Sequence, residues 1–302
     1  MSTPSDVAPG RRDNRGVIHD IGYRHHDGAR LGRPEIARAL FVESAKGAYG
    51  LGRAARSKVM PFLLLGAICL PAVIIAVVAS VTKLTELPAN YTSYVIHVQP
   101  LVMLYVAGQA PASVSRDLRF HVMSLYFSRP MKRIDYVAAK YTAMTAAAFA
   151  LMALPLTILF VGALLAKMPL GEQVPDYLRS LGAALLLALV LAGIGLVIAA
   201  ITPRRGFGVA AIIAVLAILA GVQGSVQAIA VEEKQDTLAG YAGLLSPFTL
   251  VDGIQHDLLG AATILPADPP GTAGALVFLA VALLVIAGSF GALLVRYRMV
   301  TS

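Results

Sequence analysis

The chain has 302 residues, of which 57% are hydrophobic and only 14% charged, with a formal net charge of +8. A soluble domain carries about 25% charged residues, and one core of this size cannot hide such an apolar surplus, because a fold this small still exposes much of its surface. An ordinary cytosolic enzyme and a mainly disordered chain are excluded, and a single cysteine (Cys69) leaves no disulfide scaffold or cysteine metal cluster.

In chain order, Met1–Arg15 is rich in Pro, Ser, Asp and Arg, and residues 1–33 are expected to be an irregular or disordered cytoplasmic segment. His19, Asp20, His25, His26 and Asp27 cluster there, but adjacent His25 and His26 diverge on a helix or strand, so no metal site is expected. After Pro34, a good first-turn residue, Ile36, Leu40, Phe41, Ala45, Ala48 and Tyr49 recur at helical spacing, with Glu35, Arg38, Glu43 and Lys46 on other faces. Residues 34–57 therefore read as an amphipathic interface helix on the cytoplasmic membrane surface, with lipid as partner. A plain extension of the first span is the alternative, although Gly47, Gly50 and Gly52 predict a bend between the two.

Residues 58–302 read as an all-α membrane domain. Six uncharged stretches are long enough to span: Val59–Val81, Thr92–Ser115, Tyr141–Ala166, Ser180–Thr202, Gly206–Val231 and Thr272–Val295. Each offers the roughly 20 residues a helix needs to cross ~30 Å of hydrocarbon. Thr92–Ser115 is the most polar, with His97, Gln99, Pro100, Gln109 and Pro111. Of the 25 Lys and Arg, 21 fall on one side of this arrangement and only Lys83, Lys167, Arg179 and Lys234 on the other. The positive-inside rule then predicts both termini in the cytoplasm, in a plasma membrane. The basic balance follows from topology and anionic lipid, so nucleic acid is not an expected partner. The leading 58 residues are polar, unlike a cleavable signal, so the first span is expected to act as an uncleaved anchor.

Between the second and third spans, Val114, Leu118, Val122 and Leu125 form an apolar stripe beside Arg116, Asp117 and Arg119. Pro130 stops a helix near Ser128, and a second helix is expected from about Arg133 through Tyr136 and Lys140. The result is a cytoplasmic elbow, basic at Arg129, Lys132 and Arg133. On the outer side, Glu232–Gly271 is too long for a structureless loop. Ser246-Pro247 and the spacing of Val251, Ile254, Leu258 and Ala262 predict one or two short helices there, ended by Pro266, Pro269 and Pro270.

The chain has no GxxxxGK[ST] phosphate loop, HExxH or Gly-x-Ser-x-Gly, so no enzyme activity and no cofactor are expected on it. No Asp, Glu, Lys or Arg falls within the six stretches, unlike most ion-coupled carriers. Gln99, Gln109, Gln223 and Gln227 are candidates for a substrate path, with interhelical hydrogen bonds an equal alternative for each. Ala143/Ala147, Ala188/Ala192 and Gly195/Ala199 are small-xxx-small pairs that permit close helix contact.

One run of residues carries more information: Ser115-Arg116-Asp117, then Leu125-Tyr126-Phe127-Ser128-Arg129-Pro130-Met131-Lys132-Arg133, then Tyr136 and Lys140. With the six-span order, the large last outer loop and the upstream run Gly22–Arg33, it resembles the ABC-2 family of ABC-transporter permeases, especially the actinobacterial type. The resemblance implies the transmembrane subunit of a type V-like exporter. A second permease chain, identical or not, and two copies of a separate ATPase subunit carrying ATP and Mg would be its partners. It also implies that Arg116, Asp117, Arg119, Phe120, Arg129, Pro130, Lys132 and Arg133 couple to the ATPase, with Glu35, Arg38, Phe41 and Lys46 beside them on the interface helix. A secondary carrier, and a non-transporting subunit that relays ATPase motion, are the other readings.

Overall fold

The computed structural model describes residues 32–83, 86–119, 126, 131–202, 204–261 and 271–299. Among them the regular elements are all helical: α1 (Arg33–Ala48), α2 (Arg56–Thr82), α3 (Tyr91–His97), α4 (Gln99–Arg119), α5 (Arg133–Leu165), α6 (Leu170–Ile201), α7 (Arg205–Glu232), α8 (Asp236–Tyr241), a single 3₁₀ turn (Ala242–Leu245), α9 (Pro247–Leu259) and α10 (Gly271–Met299). Five of these, α2, α5, α6, α7 and α10, are long and apolar enough to cross a membrane. The shortest has 27 residues, which at ~1.5 Å per residue already exceeds the hydrocarbon layer.

The expected second span departs from the sequence reading. It divides at Val98 into α3 and α4, and α4 is too polar to join the other five. Pro100 has no N–H to offer the preceding turn, and the Leu101 and Val102 amides both donate to Val98 O across the junction. α5 and α6 begin at Arg133 and Leu170, well before the uncharged stretches at Tyr141 and Ser180. Their first turns carry Asp135, Glu172 and other charged residues that suit a helix outside hydrocarbon.

The expected helix over 34–57 ends at Ala48. Gly50 and Gly52 take left-handed backbone (φ 68° and 78°), and the Leu51 amide donates back to Lys46 O (2.9 Å) to close the turn. On α1 the buried face is Leu40, Ser44, Gly47 and Ala48, and it packs on α5 and α4. Arg33 meets Asp135 near the start of α5, and Tyr49 OH reaches Ala147 O (2.8 Å) further along it. α1 therefore runs obliquely along α5, in the same chain direction.

α5 and α6 form the centre. α1 and α2 pack on α5, α4 fits against α6 and α7, and α9 and α10 cover α6. Small residues set the close approaches. A side chain at Gly162 on α5 would collide with Ala76 on α2, and one at Gly195 on α6 would meet Val106 and Ala110 on α4. Ala143, Ala147, Ala188, Ala192 and Ala199 are all buried. α9 starts at Pro247, where the Ser-Pro pair places it, and buries Phe248, Leu250, Val251 and Ile254. The expected stops at Pro266, Pro269 and Pro270 lie outside the described residues.

Three of the four cations set against the topology have a local role. Lys83 directly after α2, and Lys167 and Lys234 one residue past the C-caps of α5 and α7, each adopt positive φ (50°, 62° and 55°). Met168 and Gln235 donate five residues back, to Ala163 O (3.1 Å) and Ala230 O (2.8 Å). These are Schellman closures with a cation at the negative end of the helix dipole.

Candidate functional site

The cation-rich helix ends meet at one end of the bundle. Ser115 Oγ on α4 donates to Ala199 O on α6 (3.0 Å), and Arg296 Nε on α10 donates to Ala200 O (3.1 Å). Arg56 on α2 and Arg205 on α7 border one cavity, and Arg133 on α5 and Arg298 on α10 border another. Away from these, Glu86, Glu172 and Asp176 share a cleft of about 330 Å³ with Tyr91 and Gln173. Charge is thus segregated between two regions of the bundle.

At the basic end, Asp117 on the last turn of α4 organises a polar cluster. Its Oδ2 lies 3.0 Å from Lys140 Nζ and accepts Tyr136 OH at 2.7 Å. Lys140 also donates to Ser113 O (2.9 Å). The Lys140 and Asp117 side chains are 10% and 18% exposed, so the charges interact in a poorly solvated setting where breaking the pair is costly. The Tyr136 ring stands edge-on to Tyr297 of α10, centroids 5.1 Å apart, and the Tyr126 ring lies 5.6 Å away. The cluster joins α4 to α5 on the two sides of the expected elbow.

Above the cluster α1 closes a cleft of about 310 Å³, lined by Ser44 and Gly47 of α1, Arg53, Gln109 and Asp117 of α4, and Lys140. α1 is clamped at both ends. Arg33 forms a two-pronged bond to Asp135 (2.5 and 2.7 Å), and Asp135 also accepts the Lys132 amide (2.9 Å). The hydrogen bond to Asp135 raises the Arg33 pKa. At the other end the Tyr49 ring sits 6.3 Å from Phe62 and 5.7 Å from Tyr105. Burial pushes the Tyr49 phenol up, so it stays a neutral donor near neutral pH.

The residues singled out from sequence separate into groups. Asp117, Tyr136 and Lys140, quoted together for the resemblance, come into direct contact. Arg116 and Arg119 lie on the last turns of α4, and Lys132 and Arg133 are exposed at the start of α5. Phe120, Arg129 and Pro130, with the elbow's turn, lie outside the described residues, as do the histidine cluster and Gly22–Leu31. Glu35, Arg38 and Lys46 are exposed on α1 and Phe41 is half-buried.

The four glutamines fall in three different places. Gln109 faces the basic cleft, where its amide donates to the Met60 thioether (3.4 Å). Gln99 is nearly three turns away along α4, at the Val98 junction. Gln223 donates to Gln227 (2.7 Å), and Gln227 to Ala239 O (3.3 Å), tying α7 to α8. Sequence reasoning missed Ser44, Arg53 and the Arg33–Asp135 pair. The only sequence signal for them was the small-residue face of α1.

Among the described residues no three His, Cys, Asp or Glu side chains gather as a metal site. No protein-family model matches the chain, and no curated protein matches it.

Proposed function

We propose that this chain is the transmembrane subunit of an ATP-binding-cassette exporter of ABC-2 type, moving substrate with ATP hydrolysed on two separate subunits. The observation that carries the reading is the Asp117–Tyr136–Lys140 contact, which links the residues of the family-like motif and pins α4 to α5 at the basic end. A push on a stiff elbow at the ends of these two helices moves both together, because neither can slide without breaking a buried ion pair. α1, clamped to α5 through Asp135 and Ala147, moves with them.

In this reading the basic end faces the cytoplasm. α4 supplies the sixth crossing: it returns the chain to the end from which α2 departs, and its apolar residues Val102, Tyr105, Val106 and Ala110 are buried among its neighbours rather than facing lipid. The exposed Lys132 and Arg133, with Arg129, orient the ATPase by charge complementarity, and a second permease chain completes the pore.

The test is charge reversal. With the ATPase subunit co-expressed, K132E/R133E combined with Arg129→Glu is expected to weaken its association with the permease by at least about tenfold. The permease fold, read by its thermal unfolding, should stay intact. Undiminished association would remove the elbow from the coupling path.

A further inference from the structure

A second cavity adjoins the basic cleft, sharing Gly47, Arg53, Gln109 and Ala112 with it. It measures about 640 Å³ and lies between the α1–α2 turn and the starts of α2 and α7. Arg53, Arg56 and Arg205 line it, each from a different part of the chain, and among the described residues no carboxylate borders it. None of the three arginines is ion-paired among the described residues. Two helix N-termini, those of α2 and α7, border the same space without a side-chain cap, so their dipoles add to its positive potential. Gly47 makes room for the Arg53 side chain: a Cβ there would come within 2.8 Å of the guanidinium.

Arginines lining one cavity suit a tetrahedral oxyanion, since each guanidinium carries paired N–H donors that match phosphate oxygens. The rest of the wall is not cationic. Met60 and Pro61 of α2, with Ala54 just before that helix, give it an apolar side, and α2 faces outward over most of its surface. Among the described residues, the buried Ser44 hydroxyl, which lines the adjoining cleft, has no hydrogen-bond partner, and the Gln109 amide is bonded only to a thioether.

We propose that this cavity is a phosphate site, taking either the phosphodiester headgroup of an anionic phospholipid or free phosphate, with Arg53, Arg56 and Arg205 as its donors. Occupancy bridges α1, α2 and α7 and so steadies the clamp of α1 on the bundle. This binding depends neither on nucleotide nor on a partner subunit, and its failure leaves the exporter reading untouched.

The test uses the full chain in nanodiscs of phosphatidylcholine doped with phosphatidylglycerol, extracted into mild detergent and weighed intact by native mass spectrometry. Wild type is expected to retain phosphatidylglycerol, and R53Q/R56Q/R205Q to bind it on the order of a hundredfold more weakly. R53K/R56K/R205K, which keeps the charge but loses the paired N–H donors, should bind with an affinity between those of wild type and the glutamine variant, and K58Q, at an exposed cation of α2 outside the cavity lining, should match wild type. If the triple glutamine variant does not fold, R205Q alone should still show a several-fold loss. In a parallel arm, inorganic phosphate is titrated against thermal unfolding in phosphatidylcholine alone. Arginine-dependent lipid retention without a phosphate effect identifies the lipid headgroup, and an arginine-dependent phosphate effect identifies the free ion. Binding of both probes unchanged by the glutamine substitutions would overturn the site.

Discussion

Replacing Asp117 with alanine is expected to destabilise the purified protein by about 3 kcal/mol, the cost of leaving a poorly solvated ammonium without its carboxylate. Among the described residues Lys140 keeps Ser113 O as its hydrogen-bond acceptor and the Tyr136 ring 5.7 Å away, with no carboxylate, and Tyr136 loses the acceptor 2.7 Å from its hydroxyl. The double variant D117A/K140M should recover much of that loss, because removing both charges leaves no uncompensated ion and methionine fills the lysine stem's space. Thermal unfolding of all four members of the cycle in one detergent gives the comparison. Additive effects would show that the pair is not coupled, and α4 and α5 would then lose the joint on which the lever depends.

The second large effect is steric. At Gly162 on α5 a new Cβ would overlap Ala76 of α2 at both its Cβ and its Cα, so no rotamer change can relieve the contact. Gly162→Leu is therefore expected to cost about 3 kcal/mol, at the upper end of overpacking penalties because two backbones must separate. Gly182→Leu on α6 is the control: a Cβ there meets nothing within 4 Å. It should be neutral or slightly stabilising, since leucine is the better helix former. Equal losses at the two positions in thermal unfolding would mean that α2 and α5 are not in close backbone contact.

Much of the helical framework was legible in the sequence because an uncharged run of about 20 residues has few other uses. The ends were less legible, and in one direction. α5 and α6 continue for eight and ten residues beyond their uncharged stretches, because backbone hydrogen bonding is indifferent to the change of solvent that a hydropathy reading detects. Thr92–Ser115 read as one span because its apolar centre hid the effect of Pro100 at Val98. The bend after α1 was visible in Gly50 and Gly52, although the helix stops several residues before the boundary drawn from its apolar stripe.

The candidate site was legible in parts but not as an assembly. Asp117, Tyr136 and Lys140 stood out through the family-like run, yet their contact joins α4 to α5, and local periodicity cannot encode a contact between helices. Arg33 and Asp135 are 102 residues apart and carry no mutual signal. Ser44 was not singled out from the sequence, and Gly47 was read with Gly50 and Gly52 as a bend. In three dimensions they are the small face that lets α1 approach α5 and leaves room for Arg53. Conversely, Gln223 and Gln227 looked like a polar stripe on a membrane helix, and their amides serve the α7–α8 junction.

The central claim is that this chain supplies a path and a lever while the energy comes from another subunit. Its most direct test measures phosphate release from proteoliposomes supplied with ATP and Mg, with this chain alone and with a co-expressed ATPase subunit. The account predicts no release from the chain alone, and release with the partner that changes when the D117A chain replaces the wild type. Sustained ATP turnover by the chain alone, or partner turnover identical with either form of the chain, would contradict it.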